Sequence, residues 1–152
     1  MYTRNYTFPK NLRTYDRYAE GKNIVDTQNV AAIIKGSKYP ESYIIITGHL
    51  DHVGKDGDIV YNGADDNGSG TVSILEIAQA FQIAVNDGKR PKRSIVFLHV
   101  SGEEEGLLGS EYYVNNPLYP VKETFANLNL DMIGRTDPTR GYNNEDYIYS
   151  IG

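Results

Sequence analysis

The feature that most constrains this 152-residue chain is a series of short, unbroken apolar runs, most of which end on glycine and ionisable residues. Asn29-Val-Ala-Ala-Ile-Ile-Lys35 stops at Gly36-Ser37, and Tyr43-Ile-Ile-Ile-Thr47 runs into Gly48-His49-Leu50-Asp51-His52. Ser94-Ile-Val-Phe-Leu-His-Val100 leads to Gly102-Glu103-Glu104-Glu105-Gly106, and Phe125-Ala-Asn-Leu-Asn-Leu130 leads to Asp131. Runs this short, bounded by turn residues, predict strands buried on both faces. From about Thr71 to Asn86 a polar stripe of Ser73, Glu76, Gln79, Gln82 and Asn86 recurs every three or four residues, which predicts an amphipathic helix stopped by Asp87-Gly88. A shorter helix is expected over about Leu107 to Val114, ended by Asn115-Asn116-Pro117, and a fifth strand over Tyr147 to Ile151. Strands alternating with helices predict an α/β fold with a largely parallel sheet.

The length suits one domain. Residues 1–28 read as an irregular N-terminal arm and 29–152 as the folded part. With 15 Lys+Arg against 20 Asp+Glu the net charge is -5, which argues against nucleic acid as a partner because phosphate contacts need clustered cations. There are no cysteines, so disulfide scaffolds and thiolate zinc modules are excluded. No apolar run approaches the ~18 residues of a membrane span, and the first ten residues carry no apolar signal-peptide core.

In α/β sheets, ligands sit beyond the carboxyl ends of the strands. That edge would collect His49, Asp51 and His52 from the second run, Glu103 to Glu105 from the third and Asp131 from the fourth. The long glycine-rich stretch 53–70 adds Asp65 and Asp66. So many carboxylates in one crevice call for protons or cations, and imidazole with carboxylate, without sulfur, suits zinc best. Taken singly, each cluster has a plainer explanation: Asp65-Asp66-Asn67-Gly68 as a turn, the glutamates as a solvated helix start, and His99 as a hydrogen-bonded core histidine. Asp65 to Glu76 also satisfies the twelve-residue spacing of a calcium-binding EF-hand loop. Residues 71–76, however, already read as helix.

Gly48-His-Leu-Asp-His-Val-Gly54, Asn62-Gly-Ala-Asp-Asp-Asn-Gly-Ser-Gly70, Gly102-Glu-Glu-Glu-Gly-Leu-Leu-Gly-Ser110 and Asn129-Leu-Asp-Met-Ile-Gly-Arg135 occur in that order. Together they resemble metallopeptidase family 28, the two-zinc aminopeptidases and their carboxypeptidase and glutaminyl-cyclase-like relatives. The resemblance implies a three-layer α/β sandwich of the zinc-peptidase/phosphorylase-like kind with a mostly parallel central sheet, two zinc ions and a peptide substrate with a free N-terminus. It implies that His49 and Asp131 hold one zinc, that Asp65 bridges both, that Glu104 binds the second and that Glu103 is the general base. Asp51 would accept the second ring N–H of His49, and Asp66 would follow a cis peptide bond. The family's late histidine ligand has no counterpart, since none of the 3 histidines lies after His99. The chain therefore reads as a truncated catalytic domain, expected to be weak or inactive alone. The tyrosines of residues 1–20 and 142–149 are expected to contact whatever completes the sheet, another copy or the missing C-terminal part. Other readings the resemblance leaves open are a single-zinc aminoacyl cyclase and a non-catalytic, peptidase-like binding domain. It also leaves open a secreted or periplasmic parent.

Overall fold

The computed structural model describes residues 2–6, as backbone only, and residues 27–136 and 139. A mixed sheet is built from β1 (Tyr2–Tyr6), β2 (Thr27–Ile34), β3 (Tyr39–His49), β6 (Arg93–Val100) and β7 (Thr124–Asn129), in the order β1-β2-β6-β3-β7. β6, β3 and β7 pair in parallel, β2 is antiparallel to β6, and β1 is antiparallel to β2. Four of the five strands therefore point the same way, and only β2 is reversed. The first residues do not remain an irregular arm: Tyr2–Tyr6 adds an edge strand against Thr27–Ala31. The expected strand at Tyr147 to Ile151 and the tyrosines of 142–149 lie outside the described residues.

β3 starts four residues earlier than its apolar run because Pro40, which cannot donate to a ladder, falls at a register shift between Tyr39 and Tyr43. Within the stretch 53–70, Lys55–Asp56 (β4) and Ile59–Val60 (β5) form a small exposed hairpin around Gly57, whose φ is 57°.

Both faces of the sheet are apolar because successive side chains of each buried strand alternate between two cores. On one face Ile46, Ile95, Phe97 and Ile34 pack beneath α1 (Gly70–Asn86), with Ile74 fully buried. On the other, Tyr43, Ile45, Val96, Leu98 and Val100 meet Tyr113 of α2 (Leu108–Asn115). Helix, sheet and helix make three layers. α1 ends as its sequence predicts, with Gly88 at φ 80° donating to the Val85 carbonyl. Gly48 is required by packing: a β-carbon there would lie 2.8 Å from Ile74 Cδ1 and 3.1 Å from the Leu130 carbonyl. No helix among the described residues is long and apolar enough to cross a membrane.

Candidate active site

His49 is the last residue of β3 and is 2 % exposed. Its main-chain carbonyl accepts from the Thr71 hydroxyl at 2.8 Å, which ties the strand end to the start of α1. Around its ring stand Asp66, whose Oδ1 is 3.0 Å from Nε2, Asp131 at 3.6 Å and Glu103 at 4.0 Å. Glu104 completes a group with His49 and Asp66 in which one ligand atom from each lies within 4.8 Å of the others.

The carboxylates outnumber the imidazole, and the ionisation of the site reflects it. His49 loses basicity by burial, but the Asp51 carbonyl and the charges of Asp131, Glu103 and Asp51 outweigh burial and raise its pKa. Glu103 is pushed above the ordinary carboxylate range by burial; His49 pulls it down, and Asp131, Asp51 and Asp66 push it up. Glu104 is raised by burial first and then by Asp66 and Glu103.

Three expectations need correction. The first concerns the bridge. The Asp65 carboxylate faces away from the cluster: its Oδ1 accepts from the Gly134 N–H at 2.8 Å, and its Oδ2 lies 3.3 Å from Arg135 Nε. Asp66 takes the place beside His49 instead. Asp66 and Asn67 leave helical geometry, with φ,ψ of -102°,93° and -126°,43°, so neighbouring side chains point to opposite sides. The second concerns the cis bond, which joins Asp66 to Asn67 rather than preceding Asp66. The third concerns Asp51. The second nitrogen of His49, Nδ1, is 2.9 Å from the Asp51 main-chain carbonyl and 3.7 Å from its carboxylate. That carboxylate accepts the main-chain N–H groups of Glu103 and Glu104 at 3.1 and 3.2 Å.

The Glu103-Glu104 turn follows Gly102 at φ 73° and closes through Gly106 and Leu107, whose N–H groups donate to the Glu103 carbonyl. The other two histidines stand apart from the cluster. His99 is buried with Nε2 3.1 Å from the Thr71 carbonyl, the core histidine expected, and exposed His52 lies 2.7 Å from the Tyr61 carbonyl. The calcium-loop spacing fails because residues 70–76 are the opening turns of α1.

The donor chemistry fits a cation. With Nδ1 directed at a carbonyl, a neutral His49 turns the lone pair of Nε2 toward carboxylate oxygens, which also carry lone pairs. That meeting is favourable when a proton or a metal ion lies between them. One imidazole nitrogen with the oxygens of Asp66, Glu104 and Asp131 is a set zinc accepts.

Comparison with known proteins agrees with this chemistry. The sequence model of Peptidase family M28 matches residues 29–149, and the chain belongs to that family of zinc metallopeptidases, which are hydrolases. It is 33% identical over 115 residues to a probable glutamate carboxypeptidase of Zea mays, covering 75% of this chain and 15% of that protein. The solved aminopeptidase from Aneurinibacillus sp. strain AM-1 superposes with a TM-score of 0.60 at 30% identity, over 71% of this chain and 25% of that one. A zinc aminopeptidase from Bacillus subtilis gives a TM-score of 0.55 at 34% identity, over 72% and 25%. The chain thus spans a quarter or less of the length of these relatives.

Proposed function

We propose that this chain carries the catalytic edge of a zinc-dependent exopeptidase, an aminopeptidase that hydrolyses the peptide bond next to a free N-terminus. The observation that carries the reading is a pair of consecutive glutamates set against one buried imidazole. Glu104 belongs to the donor group with His49 and Asp66, while Glu103 Oε2 stands 4.0 Å from His49 Nε2. His49, Asp66, Glu104 and Asp131 would hold the metal, with Asp66 shared if two ions bind. Zinc, when bound, lowers the pKa of water and polarises the scissile carbonyl.

The remaining work falls to side chains. Glu103 takes a proton from the attacking water as its oxygen adds to the carbonyl carbon, and passes that proton to the amine as the C–N bond breaks. The Asp51 carboxylate holds Glu103 and Glu104 by their main-chain N–H groups, so base and ligand move as one unit. The surplus of carboxylates favours a cationic α-ammonium on the substrate. Since no histidine follows His99, the donor set here is small, and weak zinc binding with slow turnover is the expectation for this chain.

Zinc titration and hydrolysis of a leucyl chromogenic substrate by the 152-residue chain test the reading. Zinc uptake should vanish in His49→Ala and persist in Glu103→Gln, which should lose ~10²–10⁴-fold of whatever hydrolysis the wild type shows. Zinc uptake indifferent to His49 overturns the reading, and turnover at an ordinary enzyme rate overturns its claim of weakness.

A further inference from the structure

The side chains on either side of Asp66 do something the metal chemistry alone does not require. Four main-chain groups of the segment that carries Asp131 are each taken by a side chain from the loop that carries Asp66. Asn67 Nδ2 donates to the Leu130 carbonyl at 2.9 Å, and Asn67 Oδ1 accepts from the Met132 N–H at 3.3 Å. The Ile133 N–H donates to Ser69 Oγ at 3.1 Å, and the Gly134 N–H to Asp65 Oδ1 at 2.8 Å. Alternate residues 65, 67 and 69 thus grip the strand exit, and Asp66 between them faces His49.

Asn67 is the centre of the grip. It is 2 % exposed, and its Oδ1 also accepts from the Gly70 N–H at 3.0 Å, which fastens it to the first residue of α1. Its carboxamide brackets Asp131, bonding the residue before it and the residue after it. A β-carbon on Gly70 would collide with the Leu130 carbonyl and with this carboxamide, so the backbones meet at the closest approach glycine allows.

We propose that Asn67 is a positioning residue: it fixes Asp131 relative to Asp66 across the His49 ring, and so sets the geometry in which the proposed metal site binds zinc. Asparagine is suited to the task because one side of its amide donates while the other accepts. An aspartate of the same shape keeps the two acceptor bonds but sets an oxygen against the Leu130 carbonyl. The inference rests on the metal site proposed above, and outer partners of ligands typically control metal affinity by ~10–100-fold.

The test measures zinc affinity by chelator competition in the wild type, Asn67→Ala and Asn67→Asp, together with hydrogen exchange at the Met132 amide in the metal-free proteins. Zinc affinity should fall by ~10–100-fold in both variants. The Met132 amide should be protected in the wild type, retain protection in Asn67→Asp and lose it in Asn67→Ala. A residue that merely stabilises the fold would lower the metal-free melting temperature of the variants and leave zinc affinity within about twofold of wild type. That result, or a freely exchanging Met132 in the wild type, overturns the proposal. Should Asn67→Ala fail to fold, the isosteric Asn67→Asp carries the affinity measurement. A wild type that takes up no zinc through His49 sinks the metal reading instead, and the grip is then decided by whether Met132 is protected in the wild type and released in Asn67→Ala.

Discussion

The two loops that meet at His49 are held in opposite ways. The loop over 64–70 is fastened at long range: Asp65, Asn67 and Ser69 bond residues 130–134, and the chain then enters the 17-residue helix α1, whose Ile74 packs against Gly48. The turn over 102–107 is held locally, by its own i-to-i+3 and i-to-i+4 bonds and by the carboxylate of Asp51, and then enters the 8-residue helix α2. Beneath α2 the packing is incomplete. A cavity of about 340 Å³, walled by Ile45, Leu98, Val100 and Val114, opens beside His49 and Glu103. Of the proposed ligands His49 is deeply buried, and Asp66 and Asp131 reach it from segments fastened to each other at long range, whereas Glu104 shares with the proposed base Glu103 a turn held by its own bonds and by the Asp51 carboxylate.

The two helices should show the largest contrast. Ile74→Ala empties a fully buried site and should cost about 2–5 kcal/mol, whereas Val114→Ala, at the largely exposed wall of the cavity beneath α2, should stay within about 0.5 kcal/mol. Urea unfolding of both variants measures the contrast, and equal losses would mean that the α2 face is as tightly packed as the α1 face. The adjacent aspartates offer the next contrast. Asp66→Ala should lower zinc affinity by more than about 100-fold, beyond the range of outer partners, and Asp65→Ala by about 10-fold or less. Equal effects in a zinc titration would return Asp65 to the role of bridge.

The α2 face also carries a pH signature. Burial, the 2.9 Å hydrogen bond to Glu41 Oε2 and the charge of Glu41 push the Tyr43 hydroxyl up to about 12. An unfolded tyrosine ionises near 10, so the folded chain keeps this proton where the unfolded chain loses it. Stability from this group is intact below pH ~10 and falls, by up to about 2–3 kcal/mol, as pH rises toward ~12. In Tyr43→Phe that part of the alkaline loss should be missing from unfolding midpoints measured at pH ~9 and ~12. An identical loss in the variant would assign the alkaline transition to other groups. The smallest expected effect concerns the turn. Asp51→Asn should cost about 10-fold in zinc affinity and speed exchange at the Glu103 and Glu104 amides, with the Met132 amide unchanged. Faster exchange at Met132 would show the two loops to be coupled.

Much of this was legible in the sequence. The apolar runs of β6 and β7 and the stop of α1 at Asp87-Gly88 emerge within a residue or two of where periodicity and turn residues put them, because apolar runs and helix termination are local signals. Of these two strands only β6 is buried on both faces as expected, since β7 is the edge strand and leaves Phe125 and Leu128 exposed. The run Tyr43 to Thr47 marks β3 but not its length, since Pro40 reads as a break and only the register shift shows how a strand absorbs it. β1 is not legible because Tyr2–Tyr6 has no alternation of its own; its pairing is set by the reversed strand β2. In the site, the convergence of His49, Glu103, Glu104 and Asp131 on one sheet edge follows from strand ends alone. The role of Asp51 is half visible: the family resemblance implies a partnership with His49, but which of its oxygens serves the ring and which the glutamate turn depends on where β6 ends.

The order of motifs, the chemistry of one imidazole among many carboxylates and the layered α/β fold were therefore determined by the sequence itself, because hydrophobic period and donor type are written residue by residue. Which of Asp65 and Asp66 lies beside His49 is set by the tertiary fold. The two are chemically identical neighbours, and what separates them is the backbone direction imposed on the loop by main-chain groups of Leu130, Met132, Ile133 and Gly134, more than sixty residues away.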